Sequence, residues 1–246
     1  MIEPVGDDFV KRYRLNYNLD ALERVRGEIG DVAYSRLKAL IEYRLHGRKF
    51  DRSPTGVKVV LAFSGGSDST AALKILRWAG FDVIPVTARL PQMRGPVLLS
   101  LQREGAVFVD VPGYMETMKR QIAKRAPICG RCHSMVMEAV EDYARKNGIK
   151  IVASGDLLSS GLISVYSKDG IVVLNLPAFL ALDKGEAIST LGRKYALGFG
   201  CPLWRAAARE SPILKKYGIQ RVLRELRARA ITPEMAERLI LDVLSG

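Results

Sequence analysis

The stretch VKVVLAFSGGSDST, residues 57–70, decides the fold of this chain. Its first half, Val57–Phe63, is short, apolar and rich in β-branched residues, which predicts a buried strand. Its second half passes through two adjacent glycines into Ala71–Leu76, where apolar residues recur at helical spacing. A strand that turns through glycines into a helix is typical of an α/β protein with a parallel sheet.

The same alternation continues along the chain. Further strands are predicted at 82–88, 107–111 and 149–153, with helices between them at 95–104, 113–125 and 131–147. This order predicts an α/β fold with a doubly wound parallel sheet, whose ligand crevice lies at the carboxyl ends of the strands. Residues 162–176 depart from it, since Asp169-Gly170 between two apolar runs predicts a hairpin.

Basic helical segments flank this region on both sides. Apolar residues recur at helical spacing among many Lys and Arg residues over 7–50, and Thr232-Pro233-Glu234 opens a last helix. Residues 51–56 contain Ser, Pro and Gly, which is typical of a linker. The sequence therefore predicts a helical N-terminal extension at 1–55, an α/β domain at 56–205 and a helical C-terminal extension at 206–246.

Composition excludes several classes of protein. The 246 residues are 48% hydrophobic, too apolar for a disordered chain, and contain too little Gly and Pro for a fibrous one. No apolar run reaches the roughly 18 residues that a membrane span needs. The first eight residues are acidic, whereas a signal peptide begins with basic residues. We expect a cytoplasmic protein with no membrane partner.

The net charge is the strongest indication of a partner. With 38 Lys and Arg against 26 Asp and Glu, the chain carries +12, which favours a polyanion such as nucleic acid. A solvated basic surface, as in heat-adapted proteins, is the alternative.

The loop at Ser64–Ser69 is suited to phosphate. Its two glycines allow a tight turn and close approach, and its amides lie at the positive end of the following helix. The loop lacks the lysine of a Walker P-loop, and its adjacent glycines do not fit the G-x-G-x-x-G dinucleotide pattern.

Ser64–Ser69 instead resembles the S-G-G-x-D-S signature of the PP-loop ATP pyrophosphatases, which hold pyrophosphate and transfer AMP to a substrate. The resemblance implies ATP as a ligand and Mg²⁺ at Asp68, with Asp68 also catalytic. It implies phosphate contacts from the backbone or hydroxyls of Ser64, Gly65, Gly66, Ser67, Asp68, Ser69 and Thr70. It places Ala62, Phe63 and Ala88 near the adenosine.

Three cysteines form the second candidate site. Cys129 and Cys132 stand at C-x-x-C spacing on a turn entering the helix predicted at 131–147, and Cys201 precedes a proline. An odd count excludes a disulfide framework, and soft thiolates suit zinc or iron–sulfur. Zinc would need a fourth ligand such as His133, and redox or sacrificial sulfur chemistry is a further alternative.

The order of the motifs, phosphate loop, C-x-x-C, second glycine motif and Cys-Pro, resembles the iron–sulfur-dependent tRNA thiolases of the PP-loop superfamily. The resemblance covers about residues 57–205 and implies a [4Fe–4S] cluster on Cys129, Cys132 and Cys201, all three catalytic. It implies tRNA as substrate, allows a homodimer and leaves the sulfur donor unknown.

The chain departs from that family at its second motif. Ser154-Gly155-Asp156 replaces the family's G-H-N-x-D-D, so Gly155 and Asp156 are expected to contact the nucleotide. For Asp156, a metal or ribose contact and a helix N-cap both remain open. Lys184 and Glu186 resemble a helix start common in PP-loop enzymes, which favours a capping role.

The resulting hypothesis is ATP-dependent thiolation of a tRNA base through an adenylated intermediate. The first alternative is a PP-loop sulfurtransferase acting on a small molecule or cofactor precursor. A PP-loop amidotransferase or ligase that uses ammonia and a non-enzymatic ATP-binding module associated with tRNA are the others. The small-molecule enzyme would not need a surface that binds tRNA, and the amidotransferase or ligase would not need Cys201.

Overall fold

The computed structural model describes residues 1–157 and 164–245. Within them a single sheet has the strand order β3-β2-β1-β4-β6-β5. All neighbours are parallel except the edge pair of β5 with β6. The strands are β1 (Lys58–Ala62), β2 (Asp82–Ala88), β3 (Val107–Val109), β4 (Ile151–Ser154), β5 (Val165–Lys168) and β6 (Ile171–Asn175).

Helices precede, connect and follow the strands. Two come before the sheet, α1 (Phe9–Arg24) and α2 (Arg26–His46). Those between or just after the strands are α3 (Ser67–Trp78), α4 (Gly95–Arg103), α5 (Tyr114–Ala123), α6 (Ile128–Lys146), α7 (Leu176–Phe179) and α8 (Lys184–Ser189). The chain ends with α9 (Pro202–Glu210), α10 (Ile213–Arg227) and α11 (Pro233–Ser245).

The strand order places a crevice between β1 and β4. Strands β2 and β3 lie on one side of β1, and the later strands β4 and β6 lie on its other side. In such an open sheet the ligand site lies outside the carboxyl ends of the strands where the direction of building reverses. The Ser64–Ser69 loop follows β1, and Ser154-Gly155-Asp156 lies at the end of β4, so both candidate motifs meet there.

Alternating side chains of the strands pack against helices on both faces of the sheet. Val59 and Leu61 of β1 belong to a core with α3 and with Leu15 and Leu37 of the N-terminal helices. Val60, between them, belongs to a core on the opposite face with α6. The doubly wound α/β fold is thereby confirmed, and α1 and α2 share the core of the sheet.

A third core is built from helices and the segments that connect them. It joins α5 and the start of α6 to the C-terminal helices, with Trp204 and Phe199 at ring centroids 4.8 Å apart. Trp204, Leu214 and Val222 are buried in it. The C-terminal helices therefore pack directly on the helix that carries Cys129 and Cys132.

Most helices and strands begin and end near their predicted positions. Helix α6 begins at Ile128 and not at 131, so Cys129 and Cys132 lie in its first turns rather than on a turn before it. The predicted hairpin forms as β5 and β6, joined through Asp169 (φ 49°) and Gly170 (φ 75°), while its first two predicted residues lie outside the described part. No helix of the described residues is long and apolar enough to cross a membrane.

Candidate functional site

The phosphate loop has the backbone that its glycines predict. Gly65 has φ +71°, a left-handed conformation that L side chains rarely adopt, and Gly66 is the N-cap of α3. The Ser64 and Ser69 hydroxyls lie 3.2 Å apart across the loop. The loop therefore presents the N-terminus of a 12-residue helix, a site where amides and the helix dipole favour an anion.

The residues of the loop differ in their exposure to solvent. Ser67 and Ser69 are buried, whereas Ser64 is exposed and Gly65, Gly66, Asp68 and Thr70 are half-buried. Of the residues expected near adenosine, Phe63 and Ala88 are buried and Ala62 is half-buried. The Phe63 ring is buried in the core of the sheet, and its place near the adenosine stays a prediction.

Asp68 is held by a lysine from a distant part of the chain. The Nζ atom of Lys184 lies 2.8 Å and 2.7 Å from the two carboxylate oxygens of Asp68. Lys184 is the first residue of α8, and Asp183 and Glu186 form a capping box around it. Glu186 thus has the predicted capping role, while Lys184 contacts the phosphate loop.

The second motif packs directly on the phosphate loop. A Cβ atom built on Gly155 would lie 2.5 Å from the backbone nitrogen of Ser69 and 2.8 Å from the carbonyl carbon of Asp68. Real Cβ atoms do not approach backbone so closely, so only glycine fits between β4 and the start of α3. This contact couples the end of β4 to the anion site.

Asp156 links this motif to the helix of the cysteines. Its carboxylate lies 3.2 Å from Nε2 of His133 on α6 and accepts a hydrogen bond from the Ser154 hydroxyl at 3.0 Å. Burial alone would raise the pKa of the Asp156 carboxyl, but the hydrogen bonds from His133 and Ser154 hold it below its usual range. The bond to Asp156 raises the pKa of His133. Asp156 is thus an ionised partner of His133.

The three cysteines interact electrostatically. Cys129 and Cys132 are half-buried on α6, and the exposed Cys201 is the N-cap of α9. Burial raises the pKa of the Cys132 thiol, its hydrogen bond with Tyr114 opposes this rise, and the charge of Cys201 adds to it.

The thiol of Cys129 interacts with both other thiols and with an arginine. Burial raises the pKa of its thiol, Arg221 opposes the rise, and the charges of Cys201 and Cys132 add to it. The opposing effect of Arg221 would favour thiolate over thiol. The thiol of Cys129 is therefore influenced by both other thiols.

Tyr114 of α5 closes one side of this group. Its hydroxyl lies 3.2 Å from Sγ of Cys132, and it accepts a hydrogen bond from the side chain of Gln92 at 2.8 Å. Burial raises the pKa of Tyr114, and the bond with Cys132 raises it further. Tyr114 is therefore a neutral hydrogen-bond partner of the thiol at neutral pH.

Arg221 of α10 brings a positive charge to the same place. Its guanidinium lies 5.9 Å from the centre of the Phe199 ring and pairs with Glu225 at 2.9 Å. Its charge acts on Cys129, His133 and Asp156 alike. Sequence reasoning found Arg221 only as one of many basic residues, since nothing local in α10 distinguishes it.

The residues fit a soft metal or cluster in kind. Among residues 1–157 and 164–245, no group of three or more His, Cys, Asp or Glu side chains is arranged closely enough to hold a metal ion. The thiols of Cys129, Cys132 and Cys201, of which the last is exposed, are the kind of donor that iron–sulfur or zinc prefers. His133, the fourth zinc ligand considered above, is bonded to Asp156 through Nε2.

The fold and this site together define the class. A strand, an S-G-G-S-D-S loop and a helix stand where the strand order reverses, so the chain is an α/β protein with an open, mostly parallel sheet and an anion-binding loop at its carboxyl edge. The chain is 32% identical over 263 residues to the uncharacterized protein MJ1638 of Methanocaldococcus jannaschii, covering 100% of this chain and 97% of that protein. It belongs to the same family as MJ1638.

The chain was also compared with protein-family models and with solved structures. No protein-family model matches the chain. Among solved structures the chain is similar to the U34-tRNA thiolase NcsA from Methanococcus maripaludis with its [4Fe-4S] cluster. That similarity covers 94% of this chain and 80% of that one, with a TM-score of 0.45 and 12% identity.

Proposed function

We propose that this chain is an ATP-dependent enzyme that transfers sulfur to a base of tRNA through an adenylated intermediate. One observation supports the proposal: packing and an ion pair connect the phosphate loop to α6, the helix that carries Cys129 and Cys132. Gly155 packs on Ser69 of the loop, the next residue Asp156 pairs with His133, and His133 adjoins Cys132. Nucleotide and thiol chemistry would thus take place beside each other.

In the first half-reaction the substrate carbonyl oxygen attacks the α-phosphorus of ATP, and the bond to pyrophosphate breaks. The amides at Gly65 and Gly66 and the start of α3 would bind the departing pyrophosphate. Lys184 keeps the Asp68 carboxylate in place beside it. Mg²⁺ would use Asp68 as its protein ligand and neutralise phosphate charge.

In the second half-reaction sulfur adds to the activated carbon, and AMP leaves with the former carbonyl oxygen. Cys129, Cys132 and Cys201 would hold a [4Fe–4S] cluster, which when bound supplies the sulfide. Arg221 offsets negative charge at Cys129, and Tyr114 donates to or accepts from Cys132. These residues would orient the thiols and offset their negative charge with any sulfur donor.

The substrate class follows from charge. The chain carries +12, and basic residues are frequent in both terminal extensions. A protein that neutralises several phosphates binds nucleic acid with strongly salt-dependent affinity. A small molecule would not need such a surface, and an amidotransferase would not need Cys201.

The experiment is a pair of substitutions at Cys201, which caps α9 by accepting a hydrogen bond from the Trp204 amide at 3.5 Å. Cys201→Ala removes both the cap and the thiol, whereas Cys201→Ser keeps an N-cap oxygen and loses only the soft ligand. We expect both variants to lose tRNA thiolation by more than about 100-fold, because a cluster ligand is missing. Both should retain ATP binding.

Metal content is measured on the same samples, purified without oxygen. The wild-type chain should carry about four iron and four sulfide, with broad absorption in the visible range, and both variants should carry less. Thiolation by Cys201→Ser at the wild-type rate would contradict the proposal. Zinc without sulfide in the wild-type protein would do so as well.

A further inference from the structure

Helix α1 carries a row of exposed aromatic rings. Phe9, Tyr13 and Tyr17 are 78%, 65% and 47% exposed. They stand four residues apart, so on a helix they lie one above the other on the same face. We call these three residues the aromatic row. Large apolar side chains that share one exposed face mark an interaction surface more often than scattered ones do.

The opposite face of the same helix is anchored. Leu15 and Leu22 are fully buried, and the side chain of the buried Asn18 donates to the carbonyl oxygens of Ala178 and Phe179 at 3.2 Å and 2.8 Å. The Ser164 hydroxyl donates to the amide oxygen of Asn18 at 2.6 Å. The aromatic row is therefore presented outward on a fixed helix and cannot turn into the core.

Two arginines lie next to Tyr13 in sequence and keep their charge. Arg12 donates to the carbonyl oxygens of Gly6 and Leu45 at 3.2 Å and 3.0 Å, and Arg14 donates to that of Ala228 at 2.8 Å. Carbonyl oxygens satisfy the donors of a guanidinium without neutralising it. From Phe9 to Leu19 the helix contains no acidic residue.

Arg229 adds a further positive charge at the edge of this face. It follows Ala228, whose carbonyl oxygen accepts a hydrogen bond from Arg14. Burial and the charge of Arg229 lower the pKa of Arg14, and the charge of Asp8 opposes this shift. Two guanidinium groups held near each other attract a phosphate. The aromatic row is thus bordered by arginines from both the N-terminal and the C-terminal parts of the chain.

We infer that the aromatic row, with Arg14 and Arg229, binds unpaired nucleotides of an RNA. Exposed rings stack on the faces of unstacked bases, and arginines at their border bind the connecting phosphates. This inference deepens the proposed function, on which it rests for the class of substrate. It assigns the recognition of single-stranded RNA to a helix outside the sheet.

A second copy of the chain fits this face less well. Pairing of the face with itself around a twofold axis would bring its arginines toward those of the partner. Like charges brought together in an interface oppose association. Phosphates, in contrast, complement these charges.

The test measures RNA binding without ATP. A labelled oligouridine of roughly 15 nucleotides, a duplex RNA of the same length and bulk tRNA are titrated with protein, and fluorescence anisotropy is recorded over a range of salt concentrations. We expect Tyr13→Ala to weaken binding of the single strand about ten-fold. The triple variant Phe9→Ala/Tyr13→Ala/Tyr17→Ala should weaken it more than about 100-fold, with an unchanged salt slope.

The controls separate stacking from charge and from loss of fold. Arg14→Ala and Arg229→Ala should each reduce the salt slope by about 0.7. Val32→Ala/Leu241→Ala, which removes side chains exposed by 57% and 58% on other helices, should bind as the wild type does. Thermal unfolding of every variant checks that the fold is intact.

Three results would overturn the inference. The triple variant binds the single strand normally, the wild type binds duplex as tightly as single strand, or light scattering shows a wild-type dimer that the triple variant cannot form. Because binding is measured without ATP, failure of thiolation leaves these results interpretable. Row-dependent RNA binding by a protein that does not thiolate would refute the proposed function alone.

Discussion

At the scale of single residues, Gly155 has the most sharply defined role. A Cβ there would meet the backbone of Asp68 and Ser69, which cannot move without shifting the start of α3. We expect Gly155→Ala to weaken ATP binding more than about ten-fold and to lower the free energy of unfolding by about 1–3 kcal/mol, as overpacking does. Titration calorimetry and urea unfolding measure the two effects.

A glycine in open space provides the matched control. No heavy atom would lie within 4 Å of a Cβ on Gly27, in the first turn of α2. Gly27→Ala should leave ATP binding unchanged and stabilise the fold by up to about 1 kcal/mol, because alanine favours helix. If Gly155→Ala binds ATP as tightly as Gly27→Ala does, the contact does not couple β4 to the anion site.

Local motifs made part of the site predictable and long-range contacts did not. The Ser64–Ser69 loop, the cysteines and Asp156 are recognisable because their chemistry lies in a few adjacent residues. The pair of Lys184 with Asp68 joins residues 116 positions apart, and only the folded sheet brings them together. Arg221 of α10 is likewise distant in sequence from Cys129 and Asp156, and only the fold brings its charge to act on them. The functional roles of all these residues remain predictions.

At the scale of elements, a network of charges joins α1 to α8. The Nζ atom of Lys11 lies 2.7 Å from Asp183 and 2.9 Å from Glu186. Burial alone would raise the pKa of Asp183, but the hydrogen bond from Lys11 holds it below 3.8. A carboxyl whose pKa is lower in the folded state stabilises the protein above its unfolded pKa. That stabilisation is lost as the pH falls through the folded value.

We therefore expect the ion pair of Lys11 with Asp183 to stabilise the fold at neutral pH and to lose this effect in acid. Lys11→Met should cost about 1 kcal/mol of unfolding free energy at neutral pH, the scale of a partly exposed ion pair. The difference from wild type should shrink as the pH falls through the lowered pKa of Asp183, where the folded protein takes up the proton. Urea unfolding of both proteins at a series of acidic pH values measures this difference. A difference that stays constant down to acid unfolding would mean that Asp183 does not contribute.

Periodicity predicted the elements well where one face is buried in a regular way. Strand β2 occupies 82–88 as predicted, because its β-branched run is covered on both faces. Strand β3 is shorter than predicted and ends at Val109. Helix α6 starts earlier than predicted because Pro127 serves as its N-cap, which the C-x-x-C spacing obscured. Short apolar patterns do not fix where a helix begins.

At the scale of the whole molecule, the sequence predicted the class of fold but not how its parts share their cores. Alternating strands and helices are sufficient to predict a parallel sheet. The basic composition of the terminal segments suggested appendages, yet Leu22 and Leu37 are buried in the sheet's core. Amphipathic helices carry no mark in their sequence of which partner covers their apolar face.

The C-terminal helices allow this point to be tested. Their core contains Tyr114 and Ile128 of α5 and α6 together with Leu214 and Leu239 of α10 and α11. A chain ending at residue 205 would expose this core and leave the cysteine helix uncovered. We expect it to lose the near-ultraviolet signal of Trp204 and to unfold at least about 10 °C below the full chain.

Two single substitutions on α11 show whether packing is the cause. Leu239 is 5% exposed and Leu241 is 58% exposed. Leu239→Ala should cost about 2–5 kcal/mol of unfolding free energy, whereas Leu241→Ala should change it by less than about 0.5 kcal/mol. If the shortened chain melts at the same temperature as the full one, residues 206–246 form a separate appendage. If it does not, the α/β domain needs these helices to hold Cys129 and Cys132, and its functional boundary extends to the end of α11.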